Sequence, residues 1–209
     1  MFDLHSFIIF AIASWALIVT PGPDMLYVIT CGMSQGRRAG VLSAVGVALG
    51  LMVHTCAAAF GLAVLLKTST LAFLIVKYVG AAYLIYLGVK AVLDEEGLSF
   101  EQEKNAKSAR SIFWRGVVTN VLNPKVALFF LAFLPQFADA SRGNVVVQMI
   151  LLGLIFIVFG TTFLSSVGYF SGRISTWLKS KPWVAQRLNW MAGCVFIGLG
   201  VRLIFLKQK

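Results

Sequence analysis

The chain has 209 residues, of which 59% are hydrophobic and only 12% are charged. Soluble domains carry about 25% charged residues, so this composition excludes an ordinary soluble protein and predicts an integral membrane protein. The formal net charge of +10 would suit a nucleic-acid partner. The long apolar runs argue against that partner, and basic loops beside anionic lipid headgroups explain the excess charge better. We therefore predict that this chain lies in a lipid bilayer and does not bind nucleic acid.

Six long apolar segments follow one another along the chain. They cover residues 4–34, 39–66, 70–93, 112–137, 144–170 and 184–206. Each is long enough for the roughly 20 residues that cross a bilayer core. The sequence therefore predicts an all-α integral membrane protein with six transmembrane helices, forming a single transmembrane domain over residues 1–209.

The first and fourth apolar segments are interrupted by prolines. The first break is Thr20-Pro21-Gly22-Pro23-Asp24 and the second is Leu122-Asn123-Pro124-Lys125. Proline removes a backbone donor and clashes with the preceding turn. Backbone groups freed in this way inside a bilayer survive only where protein packs around them or a polar cavity lies beside them. Interrupted helices at corresponding places in two halves are the best sequence pointer to the substrate site of a transporter.

The two halves share their spacing as well as their breaks. The prolines Pro21 and Pro124 lie 103 residues apart, and two pairs of glycines keep the same offset, Gly40/Gly143 and Gly50/Gly153. Three spans per half force opposite orientations of the two halves. We therefore predict two inverted three-helix repeats, residues 1–93 and 112–209, joined by a hydrophilic linker at 94–111. Extra residues of the second repeat are expected in a loop around 173–187.

Basic residues are distributed unevenly between the two sides that this topology creates. Eleven lie on one side: Arg37, Arg38, Lys90, Lys104, Lys107, Arg110, Arg115, Arg173, Lys179, Lys181 and Arg187. Six lie on the other: Lys67, Lys77, Arg142, Arg202, Lys207 and Lys209. Because cytoplasmic loops are enriched in Lys and Arg, we predict that the first side is cytoplasmic and that both termini are extracytoplasmic.

Asp24 and Lys125 are the two charged residues that most need an explanation, since each directly follows a proline of a break. A charge near the membrane centre costs about 2.5–3.5 kcal/mol on insertion scales. Opposite charges brought together across a pseudo-twofold axis would offset part of that cost. Three interpretations stay open at this point: a substrate site, a structural ion pair between the broken segments, and exposure to water at the membrane interface.

A broken helix presents groups that suit an amino acid, which carries both a carboxylate and an ammonium group. The positive N-terminal end of a half-helix favours the carboxylate, while free carbonyls and Asp24 favour the ammonium. Lys125 would bind the carboxylate or hold Asp24 when the site is empty. Local capping of the backbone explains Asn120 and Asn123 equally well. The predicted substrate site comprises Pro21, Gly22, Pro23, Asp24, Asn120, Asn123, Pro124 and Lys125.

Asp24 and His54 are the candidates for proton coupling. Histidine changes charge near physiological pH, although a lone histidine in an apolar segment more often bonds a neighbouring backbone group. The cysteines Cys31, Cys56 and Cys194 show neither a CxxC pair nor a metal-ligand spacing, and free thiols of this kind pack as small apolar groups. We therefore expect no metal site and no cofactor.

Five stretches of the sequence together carry a family resemblance. They are Thr20-Pro-Gly-Pro-Asp-Met, Gly36-Arg-Arg-Ala-Gly with Gly46 and Gly50, Tyr83-Leu-x-x-Leu-Gly, Asn123-Pro-Lys-Val-Ala-Leu-Phe-Phe and Phe133-Leu-Pro-Gln-Phe137. In combination they resemble the LysE/RhtB group of bacterial amino-acid exporters over nearly the whole chain. The resemblance implies a six-helix inner-membrane protein that expels amino acids such as homoserine, threonine, leucine or lysine, driven by the proton gradient. Members often carry Asn at the position of Asp24, so the resemblance does not require a carboxylate there.

The expected function is secondary-active export of a small neutral amino acid, coupled to proton antiport. A cationic substrate would need a buried acid besides Asp24. The alternatives are export of another small solute or cation, and a membrane thiol–disulfide carrier, which is disfavoured because Cys31 maps onto Leu134. An enzyme is not expected, since no Gly-x-Ser-x-Gly, His-Glu-x-x-His or acid pair lies in an apolar segment. The expected partners are the amino acid, the proton and the bilayer, and a homo-oligomer is left open.

Overall fold

The computed structural model describes residues 3–68, 70–93 and 108–205 of the chain. Within these ranges the secondary structure is helical and contains no β-strand, which confirms the predicted all-α class. Most of the predicted hydrophilic linker, residues 94–107, lies outside the described residues. Its last three residues, 109–111, belong to a helix instead.

Nine α-helices occur in the described ranges. They are α1 (Leu4–Val19), α2 (Pro23–Gln35), α3 (Arg37–Thr68), α4 (Thr70–Leu93), α5 (Ala109–Val121), α6 (Pro124–Leu128), α7 (Val145–Tyr169), α8 (Ser171–Ser180) and α9 (Pro182–Phe205). Between α6 and α7 the chain forms a π-helical turn at Phe129–Phe133 and two 3₁₀ turns, Leu134–Phe137 and Ala140–Arg142.

Four of the described helices are individually long and apolar enough to cross a membrane. Their spanning parts are Arg37–Gly61, Leu74–Leu93, Val145–Tyr169 and Gln186–Phe205. Two further candidate spans are bent pairs, α1 with α2 and α5 with Pro124–Phe137, and each pair is bent by 49°. Counting each bent pair as one span gives six, in agreement with the six apolar segments. The chain is a multi-pass membrane protein.

The two bends follow from the prolines. Thr20 and Asn123 have extended backbone conformations, with ψ angles of 122° and 105°, and each precedes a proline, which disfavours the helical conformation in its predecessor. Pro23 and Pro124 then occupy the first position of α2 and α6, where a missing N–H costs nothing. Both predicted helix breaks are therefore found in the structure.

Helix α3 lies at the centre of the bundle and packs against α2, α5 and α7, while α4 packs along α9. Glycine allows the closest backbone approaches. A Cβ added to Gly40 of α3 would lie 2.5 Å from the carbonyl oxygen of Gly168 in α7. A Cβ on Gly88 of α4 would lie 2.7 Å from the carbonyl oxygen of Gly193 in α9. These contacts fix the positions of the helices that surround the breaks.

The largest buried cluster is rich in aromatic side chains, which pack at ring-centroid distances between 4.9 and 6.1 Å. They come from α1, the π-helical turn, the following 3₁₀ turn and α7. These aromatic side chains are Phe10, Phe129, Phe130, Phe133, Phe137 and Phe156. The cluster covers the part of the second bent pair that lies beyond its break.

The prediction of a loop around residues 173–187 is wrong. Helix α8 ends at Ser180 and α9 begins at Pro182, so Lys181 alone separates them. The cause is an amphipathic pattern, since Ile174, Trp177 and Leu178 recur at the spacing of one helical face.

The inverted repeat stays a prediction. The equal bends at the two breaks and the positions of Gly50 in α3 and Gly153 in α7 agree with it. The pair Gly40 and Gly143 does not occupy matching places. Gly40 lies within α3, whereas Gly143 precedes α7 with a φ of 129°.

Candidate functional site

The two helix breaks meet at a small cavity inside the bundle, with a volume of about 40 Å³. Five of the eight predicted site residues line it: Gly22, Asp24, Asn120, Asn123 and Lys125. The other three, Pro21, Pro23 and Pro124, set the backbone path of the breaks. The structure therefore brings the polar residues of the two breaks together around one space.

Asp24 of the first break receives two hydrogen bonds from the second. Asn120 Nδ2 and Asn123 Nδ2 each donate to Asp24 Oδ2 over 2.9 Å. Asp24 also lies in the first turn of α2, where the helix dipole favours a negative charge. The other carboxylate oxygen, Oδ1, is buried and has no hydrogen-bond partner in the described part of the chain. One acceptor of the carboxylate is thus engaged and the other is available.

Lys125 of the second break donates a hydrogen bond to the first break. Its Nζ donates to the carbonyl oxygen of Thr20 over 2.9 Å, and this carbonyl is one of those freed where α1 ends. The ammonium also lies 5.9 Å from the ring centroid of Phe196. Among the described residues, no contact of 4.0 Å or less joins Lys125 Nζ to the Asp24 carboxylate. Polar groups of the opposite break therefore hold each charge, and the two form no direct ion pair.

The N-termini of the two half-helices differ in their caps. Asn123 Oδ1 accepts a hydrogen bond from Lys125 N over 3.1 Å and caps α6. Gly22 precedes α2 and has no side chain to do the same. In the described residues, the backbone N–H groups of Asp24 and Met25 make no hydrogen bond, and both residues line the cavity. The first break therefore keeps unpaired donors beside the cavity.

His54 contacts the second break from α3. Its Nε2 lies 3.0 Å from the carbonyl oxygen of Asn120. A carbonyl oxygen can only accept, so we infer that Nε2 carries a proton. The His54 ring packs 6.0 Å from the ring of Phe130 and is not part of the cavity lining. The geometry matches the backbone-bonded alternative, and a role in proton coupling stays a prediction.

A second buried acceptor lies beside Asp24. Asn120 Oδ1 has no hydrogen-bond partner among the described residues. The Asn120 side chain packs on Gly50 of α3, where an added Cβ would lie 2.7 Å from Oδ1. Buried polar atoms without partners are uncommon and costly in folded proteins. Two such acceptors, both on residues that line one cavity, suit a ligand that brings hydrogen-bond donors.

The apolar wall of the cavity was missed by the sequence analysis. It comes from α1, α2, α3, α6 and α7, with the side chains or backbone of Leu17, Ile18, Met25, Val47, Leu51, Val126, Phe156, Gly160 and Leu164. Apolar residues in the middle of a span look alike in sequence whether they face lipid, another helix or a cavity, so no sequence signal identified them. Thr20 also lines the cavity, although it was not among the predicted site residues. No group of three or more metal-ligating side chains occurs in the described ranges.

Comparison with known proteins identifies the family. The model of the LysE type translocator family matches residues 15–207. The chain belongs to the LysE type translocator family. Family membership makes it a membrane translocator and not an enzyme, as the sequence predicted.

Several relatives align with nearly the whole chain at 30% identity. One is YrhP of Bacillus subtilis strain 168, which is described as an uncharacterized membrane protein. Its alignment includes 95% of this chain and 98% of YrhP. The leucine efflux protein of Klebsiella pneumoniae covers 99% of the chain and is covered over 98%. The alignment with the leucine efflux protein of Enterobacter sp. strain 638 includes 98% of this chain and 98% of that protein. No solved structure matches the chain.

Proposed function

We propose that this translocator exports a small neutral amino acid across the bacterial inner membrane and binds it between the two helix breaks. The observation that carries the proposal is the set of unpaired groups that belong to residues lining one cavity. Asp24 Oδ1 and Asn120 Oδ1 are acceptors without donors, while the N–H groups of Asp24 and Met25 are donors without acceptors. An amino acid brings an ammonium group for the former and a carboxylate for the latter. The relatives described as leucine efflux proteins support the same substrate class.

The arrangement also supports an orientation for the substrate. The ammonium group lies against Asp24 Oδ1 and Asn120 Oδ1. The carboxylate lies at the N-terminus of α2, where backbone amides and the helix dipole favour an anion, with Lys125 as a nearby cation. The substrate side chain then extends along the apolar wall formed by residues such as Leu51 and Phe156. Among the described residues that line the cavity, Asp24 is the acid, so a second cationic group on the substrate has no counter-charge.

The cavity is small compared with an amino acid. Its volume of about 40 Å³ is well below the roughly 150 Å³ of an engineered apolar cavity that binds benzene. Binding of an amino acid therefore requires the half-helices to move apart at the breaks. We propose that this movement alternately opens the site to the two sides of the membrane, as in other transporters with discontinuous helices.

The export assay tests the substrate and the site together. Cells without their own exporters are loaded with dipeptides, and extracellular amino acids are followed after expression of the chain. We expect faster efflux of a neutral amino acid, and Asp24→Asn should lower it roughly tenfold because an acceptor for the ammonium becomes a donor amide. Asp3→Asn is the matched control, since Asp3 is an exposed N-cap residue at the opposite end of α1 from the first break. Unchanged efflux of every amino acid, with the protein present in the membrane, would show that the proposal is wrong.

Proton antiport and membrane orientation are further parts of the proposal. Asp24 is the acid beside the cavity, so we propose that it carries the coupled proton, with His54 as the second candidate. The distribution of basic residues supports extracytoplasmic termini. If Asp24→Asn kept the wild-type response of efflux to an imposed pH gradient, Asp24 would not be the coupling group. Labelling of a cysteine added at either end by a membrane-impermeant reagent in intact cells checks the orientation.

A further inference from the structure

Gly160 is a buried glycine of α7 that helix packing does not explain. At Gly40 and Gly88, an added Cβ would lie within 2.5 and 2.7 Å of a backbone carbonyl oxygen on another helix. At Gly160 the nearest atom to an added Cβ is Leu51 Cδ1 at 3.5 Å, followed by Ile18 Cγ1 at 3.9 Å and Ile18 Cδ1 at 4.0 Å. These are ordinary van der Waals distances to flexible side chains. Alanine would fit at this position without moving a helix.

Backbone conformation does not require glycine at this position either. Gly160 lies inside a regular helix, and the glycines with positive φ in the described residues are Gly36 and Gly143. Glycine is less favourable than alanine in the interior of a helix. The remaining distinction of Gly160 is its location in the wall of the cavity, close to Leu51 and one helical turn from Phe156. The missing side chain leaves space at the apolar end of the site.

We propose that Gly160 determines the largest substrate side chain that the site accepts. The inference rests on the function proposed above, in which the breaks hold the ammonium and carboxylate groups and the side chain extends along the apolar wall. The polar groups come from the breaks, whereas α3 and α7 contribute Leu51, Phe156 and Gly160. An aliphatic side chain of leucine size packs over the bare backbone of Gly160. A methyl group at this position occupies that space and still admits a shorter side chain.

The test uses the purified full-length protein in proteoliposomes loaded with alanine, 2-aminobutyrate, valine or leucine. Gly160→Ala should lower the leucine-to-alanine ratio of efflux rates by roughly tenfold, since one methylene in a fitted apolar pocket changes discrimination by at least that factor. The optimum should move toward shorter side chains. Gly198→Ala in α9 is the matched control, because no atom lies within 4 Å of an added Cβ there, and it should leave the profile unchanged.

A compensating variant separates a size effect from general damage. Leu51 Cδ1 is the atom nearest to the added methyl, so Leu51→Ala combined with Gly160→Ala should restore leucine relative to alanine. An unchanged profile for Gly160→Ala would overturn this inference and leave the proposed function intact. Loss of all transport that Leu51→Ala does not reverse would overturn it as well. Absence of amino-acid efflux from the wild type would overturn the proposed function, and this inference with it.

Discussion

The two helix breaks have the same bend and different chemistry. Each bent pair turns by 49°, and each second half-helix begins with proline. At the second break Asn123 caps the backbone, and at the first break Gly22 leaves the amides of α2 unpaired. The first break also carries the carboxylate. The comparison indicates that the prolines account for the bend at each break. The neighbouring residues decide whether the backbone N–H groups after the bend are capped by the protein or left unpaired.

Side-chain hydrogen bonds connect the two breaks in both directions. Asn120 and Asn123 donate to Asp24, and Lys125 donates to Thr20. A hydrogen bond to a charged group contributes about 1.5–3 kcal/mol, so separating the breaks without a substrate is costly. In the function proposed above, a substrate with an ammonium group and a carboxylate replaces the lost partners. Under that proposal, substrate binding and separation of the breaks are linked, because the groups that connect the two breaks are those that the substrate engages.

The largest expected effect comes from removing the ammonium that reaches across from the second break. Lys125→Met keeps most of the side-chain volume and removes the donor to Thr20. We expect efflux to fall by roughly 10- to 100-fold, which is the factor that corresponds to one charge-assisted hydrogen bond. Lys90→Met is the matched control, because Lys90 is an exposed residue in the last turn of α4. Wild-type efflux by Lys125→Met, measured at equal amounts of protein in the membrane, would mean that the second break contributes no essential charge.

The sequence predicted the breaks and most of their polar residues because those signals are local. Proline acts on its own neighbours, and a charge beside it in an apolar segment stands out. The hydrogen bonds of Asp24 were harder to predict, because Asn120 and Asn123 lie 96 and 99 residues away and reach it through the packing of α5 against α2 and α3. The interpretation as a structural ion pair was an electrostatic argument without geometry, and in the structure each charged group is hydrogen-bonded to polar groups of the opposite break instead. The apolar wall depends entirely on which faces of α3 and α7 meet, which composition does not reveal.

A cap added to the first break would make the two breaks alike. Gly22 has an extended backbone with a φ of −171°, which any residue adopts, and an added Cβ would lie 3.6 Å from Lys125 Nζ. Gly22→Ser should stabilise α2 by a few tenths of a kcal/mol. It should also lower efflux about fivefold, because the hydroxyl takes one backbone donor from the substrate carboxylate, a loss of about 1 kcal/mol.

Thermal unfolding in detergent and efflux in proteoliposomes measure these two effects. Gly22→Ala is the matched control, since it adds the same Cβ without a hydroxyl. A steric effect would slow Gly22→Ala and Gly22→Ser equally, whereas a capping effect slows the serine variant more. If Gly22→Ser raised stability and left efflux unchanged, the unpaired amides of the first break would not be part of the substrate site.

The smallest effect is expected at His54, which contacts the second break from outside the cavity. His54→Gln keeps a side-chain donor for the carbonyl of Asn120, so efflux should change by about twofold or less. The response of efflux to an imposed pH gradient should also stay as in the wild type, because we assign the coupled proton to Asp24.

The informative comparison is with Asp24→Asn in the same assay. If His54→Gln removed the pH response and Asp24→Asn kept it, His54 and not Asp24 would carry the coupled proton. Substrate binding at Asp24 and proton coupling at His54 would then be separate, with Asn120 as the residue that contacts both side chains.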